Sequence, residues 1–314
     1  MRALVTGAAG FVGSHLCRFL LSQGDEVVGL DAFTEYYDPA RKEANVADLL
    51  DGDRFVLVRS DLRRAPLETL LDRVDIIYHL AGQPGGQPSW GDDFTLYVSR
   101  NVVATQRLLE AVSGRPVRKL VFASSASVYG DAEAHPTAET ILPRPPSPYA
   151  VTKLAAEQLC ELYHAVYGVP AVSLRLFTVY GPAQRPDMAL GRLVDAAVCG
   201  EPFFVYGDGE QTRDFTHVDD VVRAMRAAAI ASWTGIANVG SGSGTSLNEV
   251  IRILRALGEP VHVLHLPARP GELRHARADN TIARKAFGYR PTARLAEELA
   301  RLVGAARLDS ARLP

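Results

Sequence analysis

The sequence predicts an α/β fold, a doubly wound parallel sheet that carries a smaller α/β lobe. Three observations lead there. Short β-branched runs alternate with longer helical patterns through the first half of the chain. A glycine-rich turn joins the first such run to the first helical pattern. The second half loses the alternation and is punctuated by Pro and Gly at Pro143–Pro148, Gly181–Pro186, Gly207–Gly209 and Pro267–Gly271.

Taken in order, Arg2–Thr6 reads as a strand, Phe11–Ser22 as a helix and Glu26–Leu30 as a second strand. Phe55–Val58, Ile76–His79, Leu120–Ala123 and Ala171–Leu176 read as further strands. A long helix is expected over Asp92–Val112, because Phe94, Tyr97, Val98, Val102, Thr105, Leu108, Leu109 and Val112 form one stripe. A second is expected over Tyr149–Tyr167. Beyond these, Phe203–Tyr206 and Val261–Leu266 read as strands, and Val218–Ala231, Leu247–Leu257 and Arg294–Val303 as helices. The expected division is a dinucleotide-type domain over 1–175, with roughly 214–245 packing back onto it. The second lobe would comprise 176–213 and 246–314 and lie over the carboxyl ends of the parallel strands, where ligands of such sheets bind.

Composition narrows the function classes. The chain has 314 residues, 47% of them hydrophobic, which is enough for a large core and excludes disorder as a class. Lys and Arg number 34 against 36 Asp and Glu, so no basic excess exists to hold a nucleic-acid backbone. No apolar run approaches the ~20 residues a membrane helix needs. The segment Met1-Arg2-Ala3-Leu4-Val5-Thr6 enters the glycine turn without an apolar leader. Cys17, Cys160 and Cys199 share no CxxC spacing and lie in apolar helical stretches. They read as small buried hydrophobes in a reducing compartment. The expectation is a cytoplasmic protein with no membrane or nucleic-acid partner and no metal.

The turn Gly7-Ala8-Ala9-Gly10-Phe11-Val12-Gly13 has the spacing GxxGxxG. Gly7 permits the tight turn, Gly10 lets a pyrophosphate approach the backbone, and Gly13 lets helix and strand pack closely. The helix N-terminus then offers free N–H groups to phosphate. Asp31 ends the second strand, where a carboxylate binds both ribose hydroxyls and repels a 2′-phosphate. No Arg or Lys follows until Arg41, so NAD is favoured over NADP. Further along, Ser124-Ser125-Ala126-Ser127 follows a strand, and Pro148-Tyr149-Ala150-Val151-Thr152-Lys153 opens a helix. Tyr149 and Lys153 are i and i+4 and share a helix face. An ammonium nearby, together with a positive nicotinamide, is expected to lower the phenol from ~10 towards working pH. Such a phenol removes an alcohol proton as hydride leaves the carbon, with Ser125 hydrogen-bonded to the same oxygen. In the second lobe, Arg185, Arg192, Arg213 and Arg269 are guanidinium groups suited to a diphosphate.

These residues together resemble the extended short-chain dehydrogenase/reductase superfamily, in its NAD-dependent nucleotide-sugar epimerase/dehydratase branch. The resemblance covers nearly the whole chain and implies a Rossmann-like fold with bound NAD. It makes Ser125, Tyr149 and Lys153 the catalytic set. On the cofactor side it adds Phe11, Val12, Asp61-Leu62 near the adenine, the His79-Leu80-Ala81-Gly82 turn, Asn101, Ser124 and Phe177. On the substrate side it adds Ala126, Ser127, Thr178, Met188, Tyr206 and Gln211. It also makes Arg213 and Arg269 ligands of a UDP-sugar diphosphate, and it sets Glu272 and Phe203–Tyr206 against uridine and ribose. A homodimer is implied, formed through the helices containing Asn101 and Lys153.

Dehydratases of the family carry an Asp-Glu pair where Ala126-Ser127 stands, and its uronate decarboxylases carry a Glu in that turn. Without such a carboxylate the chain is expected to oxidise and re-reduce C4, which is 4-epimerisation. Thr178 and Arg185 resemble the UDP-glucuronate 4-epimerases, with Arg185 near the C6 carboxylate. Those enzymes usually carry Val-Arg where Gly86-Gln87 stands here. A UDP-glucose or dTDP-sugar 4-epimerase, a 4-ketoreductase and a uronate decarboxylase remain alternatives, as does a non-catalytic NAD(H)-sensing protein. Sensors of that kind usually lack the Tyr or the Lys.

Overall fold

A computed structural model describes residues 1–132, 134–268 and 273–310. Six strands arise by residue 176: β1 (Arg2–Thr6), β2 (Glu26–Asp31), β3 (Phe55–Arg59), β4 (Ile76–His79), β5 (Lys119–Ser125) and β6 (Ala171–Leu176). A seventh, β7 (Gly235–Val239), joins β6 at the edge, a strand the sequence pattern does not announce. The order is β3-β2-β1-β4-β5-β6-β7, and every pair is parallel. The winding direction reverses between β1 and β4. A crevice therefore opens at the carboxyl ends of those two strands, and this is where the glycine turn sits.

The strands are nearly all apolar because helices cover both faces. On one face Leu16, Cys17 and Leu20 of the helix Phe11–Ser22 pack with Val218, Val221 and Met225 of the helix Val218–Ile230. On the other, Leu108, Leu109 and Val112 pack with Ala156, Cys160 and Tyr163. A separate apolar cluster holds Leu193, Val205, Val250, Leu254, Leu299 and Val303 and forms the centre of the smaller lobe. There the strands Pro202–Tyr206 and His262–Leu266 pair in parallel.

Several elements differ from the sequence pattern. The expected helix Asp92–Val112 is a composite: α-helix over Phe94–Tyr97, π-helix over Val98–Val103 and α-helix over Ala104–Val112. The π-turn is where Asn101 turns inward, a placement common at functional positions. Strand β5 runs on to Ser125, two residues past the apolar run, because Ser124 and Ser125 still pair with Arg175 and Leu176 of β6. The sequence pattern does not mark the helices Pro39–Val46 and Thr281–Phe287, and gives no bounds for the helical stretch around Cys199, which is Ala189–Cys199. Their signals are caps: Asp38 accepts from the Ala40 N–H at 2.9 Å, and Gly200 and Gly288 take left-handed conformations that close the other two. Cys17 and Cys160 are buried as expected, but Cys199 is exposed. It sits in the last turn of its helix, beyond the residues that face the core. Among the described residues no helix is long and apolar enough to cross a membrane.

The β1–helix junction leaves no room for a methyl group. A Cβ on Gly13 would lie 2.0 Å from the Gly7 carbonyl oxygen. Gly13→Ala should therefore lower the urea-unfolding free energy by about 1–3 kcal/mol. Gly304→Ala, in an exposed helical position with nothing within 4 Å of the new Cβ, is the control. It should be neutral or stabilising by up to about 1 kcal/mol. Equal effects of the two substitutions would contradict the packing argument.

Candidate active site

The first cleft begins at the glycine turn. Gly7 has φ +73°, and its N–H donates to the Leu30 carbonyl at 2.7 Å. A Cβ there would meet the Ala81 nitrogen at 2.9 Å, so the turn and the segment after β4 touch backbone to backbone. Gly10 caps the helix Phe11–Ser22 without any side-chain acceptor, and the first turn holds no acid. Its N–H groups and positive dipole end are left for an anionic ligand. Asp31 is buried. Its Oδ2 accepts from Ala9 N–H at 3.0 Å and its Oδ1 from Phe33 N–H at 2.8 Å. Each oxygen keeps lone pairs for a ribose hydroxyl.

Gly7, Gly10, Phe11, Val12, Gly13, Asp31, Asp61, Leu62, Leu80, Ala81 and Gly82 all line this cleft. The segment after β4 is fixed from below. Thr6 Oγ1 accepts from Ala81 N–H at 3.1 Å and donates to His79 Nδ1 at 2.8 Å. Burial pulls His79 down to about 3, so the ring is neutral, and Nε2 donates to Thr105 Oγ1 at 2.9 Å. Asn101 grips the next turn. Its Oδ1 accepts from Gln83 N–H at 2.6 Å, and its Nδ2 donates to the Gln83 carbonyl at 3.1 Å and to Thr152 Oγ1 at 2.9 Å. A side chain at Gly82 would collide with Asn101 Oδ1.

Several lining residues were not found from the sequence: Thr34, Tyr36, Tyr37, Lys42, Gln83 and Arg100. The Lys42 ammonium donates to the Thr34 carbonyl at 2.8 Å and to Thr34 Oγ1 at 3.1 Å, and lies 4.9 Å from the Tyr37 ring centre. Arg100 Nη1 donates to Gln83 Oε1 at 2.6 Å. Asp61 is paired with Arg63 at 2.6 Å, and that guanidinium holds its carboxyl below the usual range. Glycine turn, bare helix end and buried acid at a strand terminus together fit an adenine dinucleotide.

The expected catalytic set lies beside this cleft, with Tyr149 between Arg185, which lines it, and Ser125, which lines a second. Ser147 caps the helix Pro148–Tyr167 by accepting from Ala150 N–H at 3.3 Å, and Pro148 supplies a preset φ in the first turn. Tyr149 follows at once, half-buried, with its ring edge-on to Tyr97 at 6.3 Å. Ser125 lies within hydrogen-bonding reach of its phenol. The Ser125 hydroxyl also shares a 2.8 Å hydrogen bond with Ser127 Oγ.

The electrostatics differ from expectation. Removal from water pushes the Tyr149 phenol above its ordinary value, and the groups that pull it back are Ser125 and Arg185. Lys153 does not lower it in the bare chain. Its ammonium lies over the Phe122 ring at 4.3 Å, and burial brings it down to about 8. Periodicity places both side chains on one helix face but carries no information on their burial. Ser124, expected on the cofactor side, sends its hydroxyl away from the cleft to Glu157 Oε2 at 2.6 Å.

The second cleft is lined by Ser125, Ala126, Ser127, Thr178 and Arg213, with Tyr129, Thr137 and His275. Phe177, expected beside the cofactor, lines this cleft instead. Arg213 is anchored by its neighbour Asp214, which is fully buried and accepts from Ser241 N–H and Oγ at 2.6 Å each, Gly242 N–H at 3.0 Å and Ala278 N–H at 2.9 Å. Gln211 Nε2 donates to the Tyr206 carbonyl at 3.1 Å. Met188 leads into the helix Ala189–Cys199. Arg192 is exposed on that helix and lines neither cleft. Arg269 and Glu272 lie outside the described residues. Arg274, which no sequence motif marks, makes a two-pronged ion pair with Asp208 at 2.8 Å on each arm.

Arg185 reaches into the first cleft, close enough to Tyr149 for each to affect the other's titration. Asp187 grips it at 2.9 and 3.1 Å, and Tyr36 Oη donates to the same carboxylate at 3.3 Å.

The chain belongs to the NAD dependent epimerase/dehydratase family. The family match spans residues 3–240, which takes in the glycine turn, Asp31, Ser125, Tyr149, Lys153 and Arg213. The crystal structure of a UDP-glucuronic acid 4-epimerase from Bacillus cereus, in complex with UDP-glucuronic acid and NAD, superposes with a TM-score of 0.94 at 40% identity, covering 98% of this chain and 99% of that one. A UDP-glucose 4-epimerase of Mycolicibacterium smegmatis is 40% identical over 311 residues, 96% of this chain and 97% of the relative. A UDP-glucuronate 4-epimerase of Thermodesulfobacterium geofontis is 35% identical over 306 residues, 96% and 94% of the two chains.

The Asp31 geometry has a measurable consequence. A 2′-phosphate would be forced against a buried carboxylate whose position two backbone N–H groups fix. NAD should bind at least about tenfold more tightly than NADP, and Asp31→Ala should narrow the gap by weakening NAD. Titration of the stripped protein with both dinucleotides checks this, and equal affinities in the unmutated chain would contradict it.

Proposed function

We propose that the protein inverts C4 of a UDP-uronate, interconverting UDP-glucuronate and UDP-galacturonate with no net redox change. The observation that carries this reading is the meeting of Ser125, Tyr149 and Arg185 between the two clefts, in a turn whose neighbours Ala126 and Ser127 bear no carboxylate. The likeness to UDP-glucuronate 4-epimerases supports it.

Gly7, Gly10, Gly13 and Asp31 would hold NAD, which when bound supplies reversible hydride acceptance at C4. The residues of the chain supply the rest. Tyr149 Oη takes the C4 hydroxyl proton and later returns it, while Ser125 Oγ donates a hydrogen bond to the same oxygen. The phenol starts high because it is dehydrated, so it needs positive charge nearby to act as a base; Arg185 provides it, and the Lys153 ammonium would add to it once substrate and cofactor are in place. Arg213 would hold the diphosphate at the floor of the second cleft. After one turnover every group is back in its starting protonation state, as an isomerase requires.

A uronate adds a hazard. Its 4-keto form is a β-keto acid, which loses carbon dioxide fastest when the C5–carboxylate bond stands perpendicular to the ketone plane. Arg185, supported by Thr178 from the second cleft, would hold the carboxylate near that plane. To do so it must share its two-pronged contact with Asp187 or give it up. The pairing with Asp187 favours a second reading, a neutral UDP-hexose, in which Arg185 stays with Asp187 throughout. We also propose a homodimer through the helical segments 94–112 and 148–167. Their outer surfaces expose Phe94, Val103, Val151, Leu162, Val166 and Tyr167, a concentration of apolar side chains that a partner copy would cover.

NMR of product mixtures separates the readings. The protein should convert UDP-glucuronate to its C4 epimer faster than it converts UDP-glucose. Arg185→Ala should slow the uronate reaction by about tenfold or more and release carbon dioxide with a 4-ketopentose, while any UDP-glucose turnover falls less. Wild-type rates on UDP-glucuronate in Arg185→Ala, with no decarboxylation, would transfer the assignment to a neutral UDP-hexose.

A further inference from the structure

Glu157 has no part in the chemistry described so far, yet its side chain is fully buried and sits in the same wall as the reacting groups. It lies one helical turn beyond Lys153 and two beyond Tyr149, on the same face. Two strands converge on it. From β5, Ser124 Oγ donates to Oε2 at 2.6 Å. From β6, Arg175 Nε reaches Oε1 and Oε2 at 3.2 and 3.0 Å, and Nη2 reaches Oε1 at 2.6 Å. The Arg175 side chain is 3% exposed, and its guanidinium lies 4.7 Å from the centre of the Tyr129 ring. Tyr129 Oη in turn donates to Asn238 Oδ1 at 2.7 Å on β7.

We propose that Glu157 is a positioning residue for the catalytic set: it fastens the helix bearing Tyr149 and Lys153 to the Ser124–Ser125 end of β5, and it keeps a negative charge one turn behind the Lys153 ammonium. The proposal rests on the reading of Tyr149 and Lys153 given above. Hydrogen bonds alone would need only a neutral side chain of this shape, so the charge is the part to explain.

The groups around Lys153 show what the charge faces. Its own helix contributes Tyr149, Glu157 and Cys160. Strand β5 contributes the Phe122 ring and β4 contributes His79, while Ser124 of β5 and Arg175 of β6 reach the set through Glu157, which matches the Arg175 charge. His79 is neutral. The Cys160 thiol, pushed up to about 12 by burial, is uncharged in the range where Lys153 titrates. Glu157 is then the anion that offsets the burial of Lys153, which by itself favours the neutral amine. Removing the negative charge should move deprotonation of Lys153 to lower pH, and with it the alkaline fall of turnover.

The chain has four lysines, Lys42, Lys119, Lys153 and Lys285, so selective ¹³Cε-lysine labelling gives four assignable signals. In the wild-type protein the Lys153 signal should titrate near about 8. In Glu157→Gln, which keeps the shape and hydrogen-bonding reach of the side chain, it should titrate lower by on the order of one pH unit, with the other three unmoved. The alkaline limb of the kcat profile on UDP-glucuronate should shift with it, and KM should change little. A Lys153 titration that stays in place while only thermal stability falls would overturn the proposal. If Glu157→Gln does not fold because Arg175 is left uncompensated, Glu157→Gln with Arg175→Met removes both charges at similar volume. Because loss of the guanidinium acts on Lys153 in the opposite sense, this variant is read against Arg175→Met alone: adding Glu157→Gln should lower the Lys153 titration, and equal titration in the two would overturn the proposal. Because the NMR readout needs no turnover, a shifted Lys153 in a protein inert towards UDP-glucuronate would refute the proposed reaction and leave the placement of Glu157 standing.

Discussion

The structure depends on a backbone contact that only glycine allows. Helix Phe11–Ser22 crosses β1 so closely that a methyl group at Gly13 would fall 2.0 Å from the Gly7 carbonyl. The same turn presses against Ala81 on its other side, with 2.9 Å between that nitrogen and where a Cβ at Gly7 would lie. These two approaches set the depth of the crevice between β1 and β4, the direction of the bare helix end and the distance from it to Asp31. Thr6 and His79 hold the far wall from beneath, buried and neutral, so that the cleft faces only groups able to bind a dinucleotide.

What the turn does for the first cleft, Asp214 does for the second. A fully buried carboxylate that accepts from Ser241, Gly242 and Ala278 is held by two segments distant in sequence. Its immediate neighbour Arg213 is thereby placed at the floor of the second cleft, beside Ser125 and Thr178. Buried charge of this kind is tolerated only when every lone pair is used, and here five donors converge, Thr216 at 3.1 Å among them. Tyr149 stands between Arg185 of the first cleft and Ser125 of the second, and these two residues that tune it come from separate elements, Ser125 from the end of β5 and Arg185 from the loop before Ala189–Cys199.

Legibility in the sequence followed distance along the chain. Gly7, Gly10, Gly13 and Asp31 belong to one β–α–β unit, and Tyr149 and Lys153 to one helix, so spacing alone located them. The parallel sheet was legible for the same reason, since each strand announces itself in its own β-branched run. The contacts assembled by folding were not. Asp187 and Tyr36 meet on Arg185 from 151 positions apart, and Arg274 finds Asp208 across 66. Lys42 and Arg100 enter the cofactor cleft from a helix that Asp38 caps and from a π-turn, neither of which an apolar stripe reveals. Burial was the other blind spot. It moved the Tyr149 phenol up where a neighbouring ammonium was expected to move it down. It turned Ser124 towards Glu157, and it left Arg192 and Cys199 in solvent on the outer face of their helix.

The central claim is that one enclosed set of groups removes and restores the same hydrogen at C4, while C5 and its carboxylate are left untouched. UDP-glucuronate carrying deuterium at C4, incubated with the protein in ordinary water, tests this most directly. The account predicts a galacturonate product that keeps its deuterium at C4, and in the converse experiment in deuterium oxide it predicts no label at C5. Loss of the C4 deuterium to solvent, or entry of solvent deuterium at C5, would contradict it, because either would require a base at carbon that the Ser125-Ala126-Ser127 turn does not contain.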